Sequence, residues 1–216
     1  MIDTFRVGTS MRSAVCLVFL GMVFTLIAHA QAPEIEWTLK DALKEIERQA
    51  KDFKTALARV EVVRRDPQGN ETSRGSGNAY IDKDGKIRYD VDEQVEQYSL
   101  SRHKDRLEPF LRLGFSTTGK ELEDGYLLTS LGEELIGESR TLGIEMTPKK
   151  EKIRETVGKV RLWIDQASWM PARQEITDTQ AGNTLVITYT HMARNLKLNP
   201  DLFKAKWPRG TKKVNR

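Results

Sequence analysis

The stretch that most constrains this chain is residues 159–178. Val160, Leu162 and Ile164 alternate with Lys159, Arg161, Trp163 and Asp165, the two-residue period of a strand with one buried face. After a short polar link the alternation resumes, with Met170, Ala172 and Ile176 on one side and Arg173, Glu175 and Thr177 on the other. Asp165, Ser168 and Pro171 are residue types that suit a reversal between antiparallel strands. The stretch therefore reads as a hairpin. A hairpin with one apolar face is not stable by itself, so further strands or helices must cover it.

The remaining sequence supplies both. Leu39, Ala42, Leu43, Ile46, Ala50 and Phe53 recur at three- and four-residue steps and predict an amphipathic helix from Thr38 to about Thr55, with Thr38 as N-cap and Asp41 three residues on. Ala58, Val60 and Val62 mark a first strand, turned back by Asp66-Pro67-Gln68-Gly69-Asn70 into a second over Ser76 to Ile81. Asp82-Lys83-Asp84-Gly85 is a tight turn into Ile87 to Val91. Ser101 to Phe115 is a second helical stretch, interrupted by Pro109. Thr118-Gly119-Lys120-Glu121 has the form of a capping box and opens a short helix through Asp124. Strands resume over Tyr126 to Gly132, over Leu142, Ile144 and Met146, through the hairpin, and over Leu185, Ile187 and Tyr189. Lys149 to Glu155 is a charged connector, and the basic end, Arg209 to Arg216, a frayed tail. The fold class is α+β, mainly antiparallel β.

Composition narrows the function. The chain has 216 residues, 38% hydrophobic and 31% charged, with 35 basic and 31 acidic side chains for a net charge of +4. Signs so evenly mixed describe a solvated surface and not a nucleic-acid footprint. Residues 1–30 read as a secretory signal peptide: Arg12, an apolar run from Ala14 to Ala28, and a small-x-small site at Ala28-His29-Ala30. Met11 would make a more compact start. The one cysteine, Cys16, lies in that leader, so the expected exported domain, 31–216, has neither disulfide nor thiol nucleophile.

The motifs of catalysis are missing. His103 and His191 lie far apart without metal-ligand spacing. Gly75-Ser76-Gly77 is not a nucleophile elbow, and Asp82-x-Asp84-Gly85 lacks the later ligands of a calcium loop. No cofactor and no metal is expected, and no enzymatic activity.

Leu162-Trp163-Ile164-Asp165, a four-residue gap, Met170-Pro171, a further strand, then Phe203 and Pro208-Arg209-Gly210 to Val214 resemble the LolA-like outer-membrane lipoprotein-carrier family. The resemblance implies a curved, unclosed half-barrel sheet with an N-terminal helix and short lid helices on its concave side, which holds acyl chains. Candidates to line that groove are Val60, Val62, Leu142, Ile144, Met146, Leu162, Ile164, Met170 and Ile187, with Leu107, Phe110, Leu111 and Phe115 from the lid. The same residues would serve as an ordinary core, and the resemblance is what turns the reading towards a groove. In the family an arginine near the second strand's turn helps hold the lid; Lys83 stands at the matching place, without the guanidinium fork. The chain also passes almost directly from Val91 to Gln94–Tyr98, omitting about two strands that such proteins have.

The expected function is that of a monomeric periplasmic carrier or chaperone. Its partners would be an acylated lipoprotein or lipid, an inner-membrane release complex and an outer-membrane acceptor, with no nucleic acid. A sensing or regulatory module that binds a protein partner on the same fold is the alternative, because an unpaired sheet edge accepts a strand. A secreted hydrolase is disfavoured by the missing catalytic constellations.

Overall fold

The computed structural model describes residues 37–93 and 104–203. The leader, Gln94–Tyr98, His103 and the basic end all fall outside the described residues.

Eight strands form one antiparallel sheet: β1 (Thr55–Arg65), β2 (Glu71–Asp82), β3 (Ile87–Glu93), β4 (Tyr126–Ile136), β5 (Ser139–Pro148), β6 (Val157–Asp165), β7 (Pro171–Asp178) and β8 (Thr184–Arg194). Their order across the sheet is β3-β2-β1-β8-β7-β6-β5-β4, so the sheet is open and among the described strands β3 and β4 are its edges. Two meanders, β1–β3 and β4–β8, are joined by the long-range pairing of β1 with β8. The predicted hairpin is β6–β7, in the register Leu162↔Gln174 and Val160↔Ile176. Its turn is held by Asp165, whose Oδ1 accepts from the Ser168 N–H and hydroxyl, both at 2.6 Å.

Helix α1 (Leu39–Asp52) begins at Thr38, whose Oγ1 accepts the Asp41 N–H at 3.2 Å, removing one of the unsatisfied donors of a helix start. Its apolar stripe buries Ala42, Leu43 and Ile46 against the sheet. Helix α2 (Lys104–Leu111) ends four residues before the expected Phe115 and contains Pro109 near its end; two residues later the helix gives way to turns. Helix α3 (Gly119–Gly125) has both arms of its capping box, Glu121 N–H to Thr118 Oγ1 at 3.1 Å and Thr118 N–H to Glu121 Oε2 at 2.8 Å. The charged connector carries one further turn, α4 (Glu151–Arg154).

The two faces of the sheet differ. One face and the helices share a continuous apolar cluster. The outer face is polar over its β5–β7 part: Glu145 pairs with Lys159 at 3.0 Å and Arg161 at 2.9 Å, and Arg173 pairs with Glu175 at 2.6 Å while lying over the Trp163 ring at 5.1 Å. Trp163 Nε1 donates to Glu134 Oε2 at 2.7 Å, linking β6 to β4 across β5.

Candidate functional site

The helix-bearing face is the candidate site. Strand alternation sends Val60 and Val62 of β1, Leu142, Ile144 and Met146 of β5, Leu162 and Ile164 of β6, and Ile187 of β8 to this face. Together with Met170 they are all buried in the one apolar cluster. The segment from α2 to Thr117 lies over them. Phe110, Leu111 and Phe115 are buried in the same cluster, as is Leu113, and Leu107 is half-buried against it. The structure thus brings the expected floor and the expected lid into contact, with side chains filling the space between.

Gly114 shows how close that contact is. Its φ is +83°, and a Cβ there would stand 2.7 Å from Pro171 Cγ and 3.1 Å from both Ile164 Cδ1 and Leu162 Cδ2. Only a residue without a side chain fits the backbone this near the β6–β7 hairpin. Phe115 completes the seal, 5.3 Å from the Tyr189 ring edge-to-face and 6.3 Å from Phe53 of the segment after α1.

A polar chain crosses this apolar contact. The Leu113 carbonyl can only accept, so it receives the Gln174 amide, Nε2 to O at 2.6 Å. That leaves Gln174 Oε1 to accept from the Tyr189 hydroxyl at 2.7 Å. Tyr189, having used its proton, accepts from Tyr89 at 2.8 Å. The chain therefore runs Tyr89 to Tyr189 to Gln174 to Leu113, joining β3, β8, β7 and the lid segment. Burial pushes both phenols' pKa values up.

The lid meets the β2–β3 turn in a different way from the one expected of Lys83. The Lys83 side chain is exposed, and its backbone N–H donates to the Lys54 carbonyl at 2.8 Å. An arginine from the lid reaches this turn: the Arg112 side chain lies against Gly85, where a Cβ would collide with its guanidinium. Gly85 is buried with φ +78°. The turn's glycine leaves room for that guanidinium, while Lys83 stands exposed two residues earlier.

Gln174, Tyr189, Tyr89 and Arg112 are absent from the expected site. Gln174 had a signal: it occupies an inward position between Ala172 and Ile176 in an otherwise apolar alternation. His191 is exposed at φ +48° on β8. Among the described residues no cluster of three or more His, Cys, Asp or Glu could hold a metal ion. No helix among them is long and apolar enough to cross a membrane.

No family model matches the chain, and no curated protein matches it. Solved structures do. The chain is similar to MucB of Pseudomonas aeruginosa, solved in complex with MucA, at 14% identity over 77% of this chain and 61% of that one, with a TM-score of 0.38. It is similar to lipoprotein LppX of Mycobacterium tuberculosis at 16% identity over 75% of this chain and 99% of that one, with a TM-score of 0.40. A LolA superfamily protein is also among them. It comes from Nitrosomonas europaea and is 15% identical over 76% of this chain and 97% of that one, with a TM-score of 0.26. The chain spans less than two thirds of MucB. At such identities these are likenesses of fold alone.

Proposed function

We propose that the protein is a non-enzymatic periplasmic carrier that binds the acyl chains of lipoproteins or other lipids on the helix-bearing face of its sheet. One observation supports this reading above the rest: a broad apolar sheet face is covered at its centre by a short, proline-interrupted segment, not by a long helix. Each acyl CH₂ costs about 0.8 kcal/mol to expose to water, so a carrier must cover the chain during transit and uncover it on delivery. The lid residues Phe110, Leu111, Leu113 and Phe115 fill the trough in the closed form. Displacing them exposes Leu162, Ile164 and their neighbours to a ligand of the same polarity, with little net change in apolar area. In such a carrier the nine floor residues contact the chains, and an inner-membrane release complex and an outer-membrane acceptor load and unload it.

The test is a pair of measurements on Phe110→Glu. A lid that swings outward places the new carboxylate in water, so the domain melts near the parental temperature and no longer takes up a fluorescent fatty-acyl probe. An immobile core residue gives the opposite result, because a charge buried without a partner lowers stability by about 3 kcal/mol or more. A parent protein that binds no probe, with a Phe110→Glu variant that unfolds, would sink the carrier reading.

The regulatory alternative has its own observation. Edge strand β4 exposes Leu127 (61%), Leu131 (43%) and Leu135 (66%), a surface suited to a partner's strand. Native mass spectrometry of protein purified from its own periplasm separates the readings: a co-purified acylated species supports carriage, a protein partner supports regulation.

A further inference from the structure

On β1, Arg64 follows Val60 and Val62 on the same side of the strand, and its position pairs with Leu185 of β8. A cavity of about 430 Å³ opens there, at the end of the apolar face, within the size range of small-ligand pockets. Ile176 and Leu185 line it from the core cluster and Leu107 from the lid helix, while Arg64, Thr72 and Asp178 supply its polar rim.

Arg64 is half-buried, and among the described residues its buried Nη2 has no hydrogen-bond partner. A guanidinium stays charged at any physiological pH and presents donors only. A buried donor left unmade is unfavourable, so this nitrogen lacks an acceptor, and an oxyanion is the acceptor that also matches the guanidinium's charge. Arg112, Arg173 and Arg194 also have a buried Nε without a partner among the described residues, and Gln166 such an Nε2; of these, Arg173 Nη2 is held by Glu175, Arg194 Nη2 by the Gln49 carbonyl, and Arg112 lies against Gly85, while Arg64 alone of the five lines this cavity. Asp178, the carboxylate on the same rim, is committed to its own turn: Oδ1 accepts the Gln180 and Ala181 N–H groups at 2.7 and 2.9 Å.

From this juxtaposition we infer that the cavity is a head-group site for a single-chain amphiphile with an oxyanion head, carboxylate or phosphate. Arg64 binds the head, and the chain runs over Leu185 and Ile176 beneath Leu107. The inference rests on the acyl-carrying function proposed for the same face and adds a polarity to it: the ligand enters with its head at the β1–β7–β8 end.

The probes are dansyl-labelled undecanoic acid and its methyl ester, titrated at neutral pH, with inorganic phosphate as competitor. The parent protein binds the acid about tenfold more tightly than the ester, the scale of one charge-assisted hydrogen bond. In Arg64→Leu the acid falls to the ester's affinity while ester binding is unchanged, and Arg64→Lys recovers part of the preference. Phosphate alone does not displace the probe. Should Arg64→Leu fail to fold, Arg64→Gln carries the same comparison. Equal binding of acid and ester by the parent, or an acid preference that survives in Arg64→Leu, overturns the head-group site and leaves acyl carriage standing. Displacement by free phosphate also overturns it, since the site would then recognise an anion without a chain. A parent that binds neither probe overturns both.

Discussion

Replacing Gln174 by leucine removes two hydrogen bonds from the apolar contact while changing side-chain volume little. It strands the Leu113 carbonyl in the core and deprives the Tyr189 hydroxyl of its acceptor. The expected loss is about 1–3 kcal/mol, read as a shift in urea midpoint at constant slope. The tyrosines beyond it predict a pH effect. Burial holds both in the neutral form, so their folded pKa values lie above the unfolded value of about 10. Below pH 10 both states keep the proton and the stabilisation is complete. Above it the unfolded chain loses protons that the folded chain retains, and stability falls as pH rises towards the folded values. Thermal melts should therefore decline from about pH 10 upward, less steeply in Tyr89→Phe. At this scale the sequence was only half readable. Alternation shows which side of β7 Gln174 faces, because that depends on neighbours along the strand. It does not show that a carbonyl sixty-one residues earlier would meet it.

Among the elements, α1 is the one whose docking most affects the sheet. Ile46 is buried beneath it among Leu43 and Ala42. Ile46→Asp leaves an unpaired carboxylate in the core and should lower stability by about 3 kcal/mol or more, measured by denaturant unfolding; a variant that melts like the parent would mean that α1 is not docked. The helix starts were legible because caps are local: Thr38 with Asp41, and Thr118 with Glu121, each lie within four residues. The end of α2 and the extent of β4 were not. β4 runs to Ile136, four residues past the expected end, and its register shifts between Ser130 and Gly132. The shift breaks the two-residue period, and an edge strand with most side chains in water has little apolar pattern to detect. Arg112 was missed for a different reason: the resemblance points to Lys83 on the turn itself, whereas the guanidinium that lies against this turn belongs to another element.

For the whole molecule, the strand order matters more than any single contact. Every neighbouring pair except one consists of consecutive strands; the exception, β1 with β8, joins residues 56–65 to 184–194. Deleting the chain from Thr184 onward should therefore do more than trim an edge. It uncovers Val60, Val62, Ile176 and Gln174 together, and the expected result is loss of the cooperative melt, followed by circular dichroism. A pairing between the first strand and the last also sets the timing of folding. A chain made or threaded from its amino terminus has β1 early but lacks its second neighbour until β8 emerges. Closing so long a loop is slow, because its entropy is lost before any contact is gained. Until then the apolar face stays unfinished, and the two meanders present unpaired strand edges through which one copy can stick to another before it is complete.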